Sequence, residues 1–255
     1  MGKTGGVAET LTAPAKLTRT LRITGVRADG YHLIDAEMVT IDLADTMLVE
    51  ESAAGLTLLV VRGVPIPDSE RIEENLVVRA LQAVDRSAAV TLTKRIPSGA
   101  GLGGGSADAA AILRWAGCTD VDLALELGAD VPFCVLGGRA RVRGVGEQVD
   151  PLPFDDVAGL VVTLLTPPLH VSTPAVYQAW DALGGLSGAG PNDLEPAALV
   201  VAPDLVRWRD ALADATGVAP TLAGSGATWF VEGAFAHLVV DGIRAVVART
   251  TPPAA

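Results

Sequence analysis

Residues 97–115 read PSGAGLGGGSADAAAILRW. Between positions 99 and 105 only Ala100 and Leu102 interrupt the glycines Gly99, Gly101, Gly103, Gly104 and Gly105. A backbone so free of side chains can curl until several N–H groups point inward and cradle an oxyanion. Pro97 opens the run, Ser106 closes it, and the alanine-rich segment to about Trp115 reads as a helix. The N-terminus of that helix adds positive dipole potential and unpaired N–H groups at the same place. Ser106 can turn a hydroxyl toward phosphate or Mg²⁺. A polyphosphate therefore suits this loop without many cationic side chains. Gly104 is expected to need positive φ and close backbone approach, both of which a β-branched residue would block.

The same run satisfies other patterns. Gly99, Gly101 and Gly104 fit G-x-G-x-x-G, and Asp120 lies about 20 residues on, as in a dinucleotide-binding unit. No strand is expected to end at Asp120, however, and the alternating βαβ pattern is missing. A Walker A loop needs a lysine after its last glycine, where this chain has Ser106. A plain flexible turn would lose much entropy on ordering so many glycines, so phosphate binding is the preferred reading.

Working outward, residues 89–96 alternate as a strand. Residues 75–84 carry Leu76, Val77, Ala80, Leu81 and Val84 at helical spacing. Residues 15–24, 38–43, 46–51 and 56–61 read as strands, with Ala44-Asp45 splitting the second from the third. Arg27-Ala28-Asp29-Gly30 is a turn signal. Downstream, 121–127 reads as a helix, and 139–145 and 159–166 as strands. Residues 174–183 read as a helix capped by Thr173, with Pro174 at the first helical position. A loop follows at 184–191, then a mostly helical 193–215 interrupted near Pro203. A second glycine-rich turn falls within 222–230, and 244–250 closes as a strand. A strand-rich first half and a helix-plus-strand second half argue for an α+β chain. A domain boundary is expected near 150–154, giving 1–152 and 153–255.

Composition narrows the function. Forty-nine per cent of the 255 residues are hydrophobic, enough for a substantial core. The net charge of −11 excludes an overall basic footprint for nucleic acid. An anionic ligand would need a local positive site. Only Lys3, Lys16 and Lys94 are lysines among nineteen basic residues, which makes each lysine more informative than an arginine. Cys118 and Cys134 cannot build a disulfide framework and read as free thiols in a reducing cytoplasm. Neither sits in a metal-binding spacing, and no metal cage is expected. Residues 1–12 lack the apolar core of a signal peptide, and the longest apolar stretch, near 157–165, is too short to span a bilayer. The expected partner is a small molecule, with no nucleic acid or membrane, and the expected state is a cytoplasmic monomer or homodimer.

Other residues have two readings each. Lys16 sits in an alternating strand and could simply face solvent. Asp130, between Gly128-Ala129 and Val131-Pro132-Phe133, could cap a short helix, or could accept a proton from a substrate hydroxyl. The two roles are compatible. Tyr31-His32 follows a turn, and Tyr177 shares a helix face with Val176 and Trp180. Ordinary packing would explain both. Gly224-Ser225-Gly226-Ala227 could offer backbone groups to a ligand or let two segments approach closely.

Taken in order, three regions resemble the signature segments of the GHMP kinase superfamily. They are Pro14-Ala15-Lys16-Leu17, the loop at 99–106 with Ala107-Asp108-Ala109-Ala110, and Leu222-Ala223-Gly224-Ser225-Gly226-Ala227. Four further stretches narrow the resemblance to a branch acting on a cytidyl-diphosphate alcohol. These are Arg27-Ala28-Asp29-Gly30-Tyr31-His32, Glu74-Asn75-Leu76-Val77, Leu127-Gly128-Ala129-Asp130-Val131-Pro132-Phe133 and His170-Val171-Ser172-Thr173-Pro174. The resemblance runs from about Pro14 to Thr250. It implies a two-domain fold with a ribosomal protein S5 domain 2-like N-terminal part and a ferredoxin-like C-terminal part. It implies transfer of the γ-phosphoryl of ATP, with Mg²⁺ held through the phosphates, to the 2-hydroxyl of 4-diphosphocytidyl-2-C-methyl-D-erythritol in the non-mevalonate isoprenoid route. Asp130 matches the catalytic Asp and Lys16 its partner. Pro97, Gly99, Ala100, Gly101, Leu102, Gly103, Gly104, Gly105 and Ser106 match the ATP loop, and Asn75 a position near the adenine. His32 matches the reader of the cytosine edge, and Tyr31 and Tyr177 its aromatic flanks. Thr173, Gly224, Ser225 and Gly226 match substrate-side positions. Thr18 stands where the superfamily branch usually has Asn, and 111–127 and 233–243 are shorter than usual. Another GHMP alcohol kinase, of homoserine or mevalonate type, and a non-catalytic nucleotide sensor are the competing readings.

Overall fold

A computed structural model describes residues 7–52, 57–63, 72–185 and 187–253. Lys3 and Leu56, the first residue of one expected strand, lie outside the described residues. The chain forms two compact units, neither continuous in sequence. The first comprises Met1–Ala15, Leu43–Ser98 and Gly103–Leu136, and the second Lys16–Asp42, Gly99–Leu102 and Gly137–Ala255. Mixed helices and sheets make the fold α+β, as expected.

Two long strands open the chain, β1 (Glu9–Val26) and β2 (His32–Glu51), and they pair with each other. The expected split of β2 at Ala44-Asp45 does not occur. Asp45 is wholly buried, accepting from the Lys94 ammonium and from the backbone N–H groups of Arg95 and Ile96. A polar residue with all these partners has no reason to leave the strand.

In the first unit, β3 (Leu58–Gly63) runs parallel to β4 (Ala88–Lys94), and β4 pairs antiparallel with residues 46–51 of β2. Alternation along β4 buries Ala88, Val90, Leu92 and Lys94 on one face. Helix α1 (Leu76–Ala83) starts where the Asn75 side chain accepts from Val77 N–H at 3.0 Å. Helix α2 (Gly104–Trp115) follows the glycine run, and every residue from 107 to 113 is buried. It packs on α1 and on α4 (Val131–Leu136), while α3 (Val121–Leu127) is capped by Asp120. A helix buried on so many of its faces sits in a core, which fixes the position of its N-terminus.

In the second unit, residues 34–39 of β2 pair antiparallel with β5 (Arg139–Gly144), and β5 with β6 (Gln148–Pro151). A four-stranded antiparallel sheet has the order β12 (Val246–Arg249), β7 (Val161–Leu165), β9 (Trp229–Glu232), β8 (Thr221–Leu222). Strands β10 (Val239–Val240) and β11 (Ile243–Arg244) form a small hairpin. Helices α5 (Thr173–Ala182), α6 (Glu195–Val201) and α7 (Leu205–Thr216) complete the unit. Its core gathers Val162, Leu164, Leu165, Trp208, Leu212, Trp229 and Val231. The cap of α5 is Ser172, not Thr173: Ser172 Oγ accepts from Ala175 N–H at 3.5 Å. Thr173 is already helical, and its hydroxyl is engaged elsewhere.

Candidate active site

Gly99, Gly101 and Gly103 have φ of 66°, 75° and 68°, a region where a side chain is costly. Gly104 does not share it. Its constraint is steric: a Cβ there would lie 3.0 Å from Ile96 Cγ2 and 3.2 Å from Lys94 Nζ. Gly103 is the N-cap of α2 and lends no side-chain bond to the helix start. The first-turn N–H groups are thus left without a side-chain cap, the arrangement that accepts a phosphate. The loop residues themselves divide between the units, Gly99–Leu102 with the second and Gly103 onward with the first.

On the first unit, a buried charge cluster lies behind that helix start. The Lys94 ammonium pairs with Asp45 and, at 2.7 Å, with Asp108 on α2. Burial alone would lower the Lys94 pKa, but Asp108 and Asp45 outweigh it and hold the ammonium above its ordinary value. Burial pushes the Asp108 carboxyl up to about 7. Asp45 adds to that rise, and Lys94 opposes it. The two groups are coupled: Lys94 draws on both carboxylates, Asp108 first, while burial and the neighbouring Asp45 favour the protonated form of Asp108. Asp108 Oδ1 is buried with no hydrogen-bond partner among the described residues, which is what a carboxylate in this place would least tolerate.

Ser106 lies in the first turn of α2, and its Oγ is 3.9 Å from where a Cβ of Gly128 would be. This brings the Gly128-Ala129-Asp130 segment to the loop. The Asp130 carbonyl accepts from Cys134 N–H at 3.0 Å, so Asp130 heads the short helix α4, and it is half-buried. Asn75 is buried and its side-chain oxygen serves the α1 cap.

On the second unit, three of the segments singled out from sequence meet. Lys16 N–H donates to Leu102 O at 3.1 Å, and Thr228 N–H to Ala100 O at 3.2 Å. A Cβ on Gly101 would collide with Ala223 O. A Cβ on Gly224 would stand 3.4 Å from Lys16 Nζ and 3.9 Å from Thr18 Oγ1. Lys16 and Thr18 are both buried, and Lys16 Nζ donates to Thr18 Oγ1 at 3.1 Å. Lys16 is therefore no solvated strand residue. Thr173 Oγ1 and Ser225 Oγ are hydrogen-bonded at 2.8 Å, which joins α5 to the turn containing Gly224 and Gly226. Asn192, buried and unremarked in the sequence, holds that turn by donating to Leu222 O at 2.9 Å and Gly224 O at 2.7 Å.

His32 and Tyr177, also on this unit, are in tilted ring contact with centroids 4.7 Å apart, and Trp180 meets the imidazole edge-on at 5.5 Å. Tyr31 is exposed, with the Arg27 guanidinium 5.7 Å from its ring centroid. Of the two expected aromatic flanks, then, Tyr177 is in ring contact with His32, while the Tyr31 ring meets the Arg27 guanidinium.

A glycine loop running into an uncapped helix start, with a buried lysine held against a glycine-rich turn, defines a small-molecule kinase of the GHMP class. Residues 75–138 match the family described as GHMP kinases N terminal domain. The 4-diphosphocytidyl-2-C-methyl-D-erythritol kinase of Paracoccus denitrificans is 38% identical over 259 residues, covering 94% of this chain and 92% of that protein. The crystal structure of a 4-(cytidine 5'-diphospho)-2C-methyl-D-erythritol kinase superposes with a TM-score of 0.72 at 31% identity, covering 95% and 99% of the two chains. Homoserine kinase from Cytophaga hutchinsonii shares the fold, with a TM-score of 0.60 at 22% identity and 96% and 95% coverage. The chain belongs to the 4-diphosphocytidyl-2-C-methyl-D-erythritol kinase family.

Proposed function

We propose that this chain transfers the γ-phosphoryl group of ATP to the 2-hydroxyl of 4-diphosphocytidyl-2-C-methyl-D-erythritol, a step in isoprenoid precursor synthesis. Membership of the kinase family supports the reaction. The observation that carries the substrate choice is the His32–Tyr177 ring pair. A chain with only four Trp, two Tyr and four Phe builds here a surface suited to a nucleobase.

The loop from Pro97 to Ser106 holds the triphosphate through its backbone N–H groups. Phosphoryl transfer needs positioning and charge neutralisation more than covalent help. Asp130 accepts the hydroxyl proton as attack proceeds, and Lys16 supplies positive charge as negative charge develops. Thr18, by accepting from Lys16 Nζ, orients that ammonium. Asn75 lies toward the adenine, and Thr173, Gly224, Ser225 and Gly226 line the acceptor side. Among the described residues no group of three or more His, Cys, Asp or Glu side chains could hold a metal ion. Mg²⁺ would be carried on the phosphates of ATP, where the Ser106 hydroxyl would help to hold it, and would neutralise phosphate charge. No helix among the described residues is long and apolar enough to cross a membrane, and we place the enzyme in the cytoplasm, as a monomer or homodimer.

Following ADP release from the purified protein tests this directly, with the cytidyl substrate, homoserine and mevalonate offered in parallel. Turnover with the cytidyl substrate alone is expected. Turnover with another alcohol, or tight ATP binding without turnover, refutes the assignment.

A further inference from the structure

Helix α5 surrounds the imidazole of His32. Tyr177, Trp180 and Asp181 stand at i, i+3 and i+4, so they share one helix face. Tyr177 lies against the ring at 4.7 Å, tilted by 37°, and Trp180 meets it at 83°. Asp181 Oδ1 lies 2.8 Å from His32 Nε2. The His32 side chain is 9% exposed and that of Asp181 50%, so the ring is enclosed while its carboxylate partner reaches water.

A carboxylate can only accept a hydrogen bond, so Nε2 must carry the proton. In a neutral imidazole that choice leaves Nδ1 as a lone-pair acceptor. The two pyrimidines differ in what they offer such an atom. Cytosine carries an exocyclic amine, a donor, where uracil carries a carbonyl oxygen, an acceptor. An accepting Nδ1 matches the first and meets the second lone pair to lone pair. We propose that Asp181 is a specificity-determining residue, fixing His32 as the tautomer whose Nδ1 accepts and so selecting an amino-bearing pyrimidine. This rests on the cytidyl reading above and assigns the base selection to a residue outside the segments that carry the family resemblance. Asp181 acts through His32 and is not a catalytic residue.

The protein labelled with ¹⁵N-histidine gives the tautomer by long-range proton–nitrogen correlation at neutral pH. It has three histidines, His32, His170 and His237, which single replacements of the latter two assign. His32 should show a protonated Nε2 and an unprotonated Nδ1. In Asp181→Asn the amide can donate as well as accept, so both tautomers should appear. In the same variant the preference in kcat/KM for the cytidyl over the uridyl form of the substrate should fall roughly tenfold or more. The change should fall on the KM of the alcohol, with the KM of ATP and the saturated kcat unaltered, a split that a merely structural defect would not give. Asp181→Glu, which returns a carboxylate, should recover part of the preference. An Nδ1-protonated neutral His32 in the unaltered protein overturns the proposal, as does an unchanged base preference in Asp181→Asn. Equal use of both bases by the unaltered protein refutes the cytidyl reading itself, while the correlation spectrum still decides whether Asp181 holds His32.

Discussion

Replacing Asp108 by Asn tests whether a proton is buried behind the phosphate loop. The Asp108 carboxyl, ordinarily titrating at 3.8, is pushed up to about 7, first by burial and then by Asp45, against the pull of Lys94. An acid raised in the folded state is favoured there in its protonated form. Its contribution to stability is fully present below about pH 3.8 and is lost as pH rises through about 7. At 1.36 kcal/mol per pKa unit the full interval is worth on the order of 4 kcal/mol, and the portion between pH 5 and 7 about 2 kcal/mol. Asn has nearly the shape of the protonated acid and does not titrate. Lys94 also feels Asp108 but titrates well above this range, so between pH 5 and 7 the difference between the two proteins reports Asp108. Urea unfolding of both proteins should show the unaltered protein losing about 2 kcal/mol relative to Asp108→Asn between pH 5 and 7. A difference that stays constant over this range would mean that Lys94 keeps Asp108 ionised throughout, and would refute the reasoning. A difference of opposite sign would do so more strongly.

Asp130→Asn should lower kcat roughly 100-fold or more in steady-state assays while leaving the KM of ATP similar, because only proton acceptance is removed. Gly104→Val should raise the KM of ATP about tenfold with little effect on the alcohol. Its branched side chain would press on Ile96 and Lys94, whose atoms already lie 3.0 and 3.2 Å from a single added Cβ, an overpacking of about 1–3 kcal/mol. Equal weakening of both ligands in a folded variant would remove the helix start from the ATP site. Thr18→Val keeps the volume and deletes the acceptor of the Lys16 ammonium. It should cost about 1 kcal/mol in kcat/KM, several-fold in rate, and an unaffected rate would leave Thr18 without a role.

What the sequence made legible was local. The glycine run, the 75–84 and 121–127 helices and the turn at 224–226 are punctuated by residues whose conformational limits act within a few positions. What stayed hidden depends on distant partners. Ala44-Asp45 looks like a strand break because its polar residue has no nearby use, yet Asp45 meets Arg95 N–H 50 residues away. Ser172 and Thr173 are equivalent caps by composition, and only the Ser225 hydroxyl, 52 residues on, explains why Thr173 is not the cap. Asp181 and Asn192 carry no motif at all, and their importance appears once His32 and the Gly224 turn are seen against them. Lys94 was signalled only by its rarity. The folded chain turns that rarity into a buried cation between β4 and α2.

The way the loop is held explains why these distant contacts exist. A glycine-rich segment is the most costly kind of backbone to order, and its N–H groups serve a phosphate only if they are fixed beforehand. On the first unit, Asp45 takes the Arg95 and Ile96 N–H groups at the loop's entry. Through Lys94 the same carboxylate is linked to Asp108 at its exit. A single buried cluster thus secures both ends, and Gly104 must lack a side chain so that Lys94 can approach. On the second unit, the 99–102 segment is tied by Lys16 N–H to Leu102 O and by Thr228 N–H to Ala100 O. The residue whose ammonium we assign to the reaction therefore also fixes the backbone proposed to bind phosphate through its own main chain. A substitution that moved the strand at Lys16 would disturb nucleotide and acceptor together. One that changed only its side chain would leave the loop in place, and the two effects can be separated by comparing Lys16→Met with Lys16→Pro, which lacks the N–H.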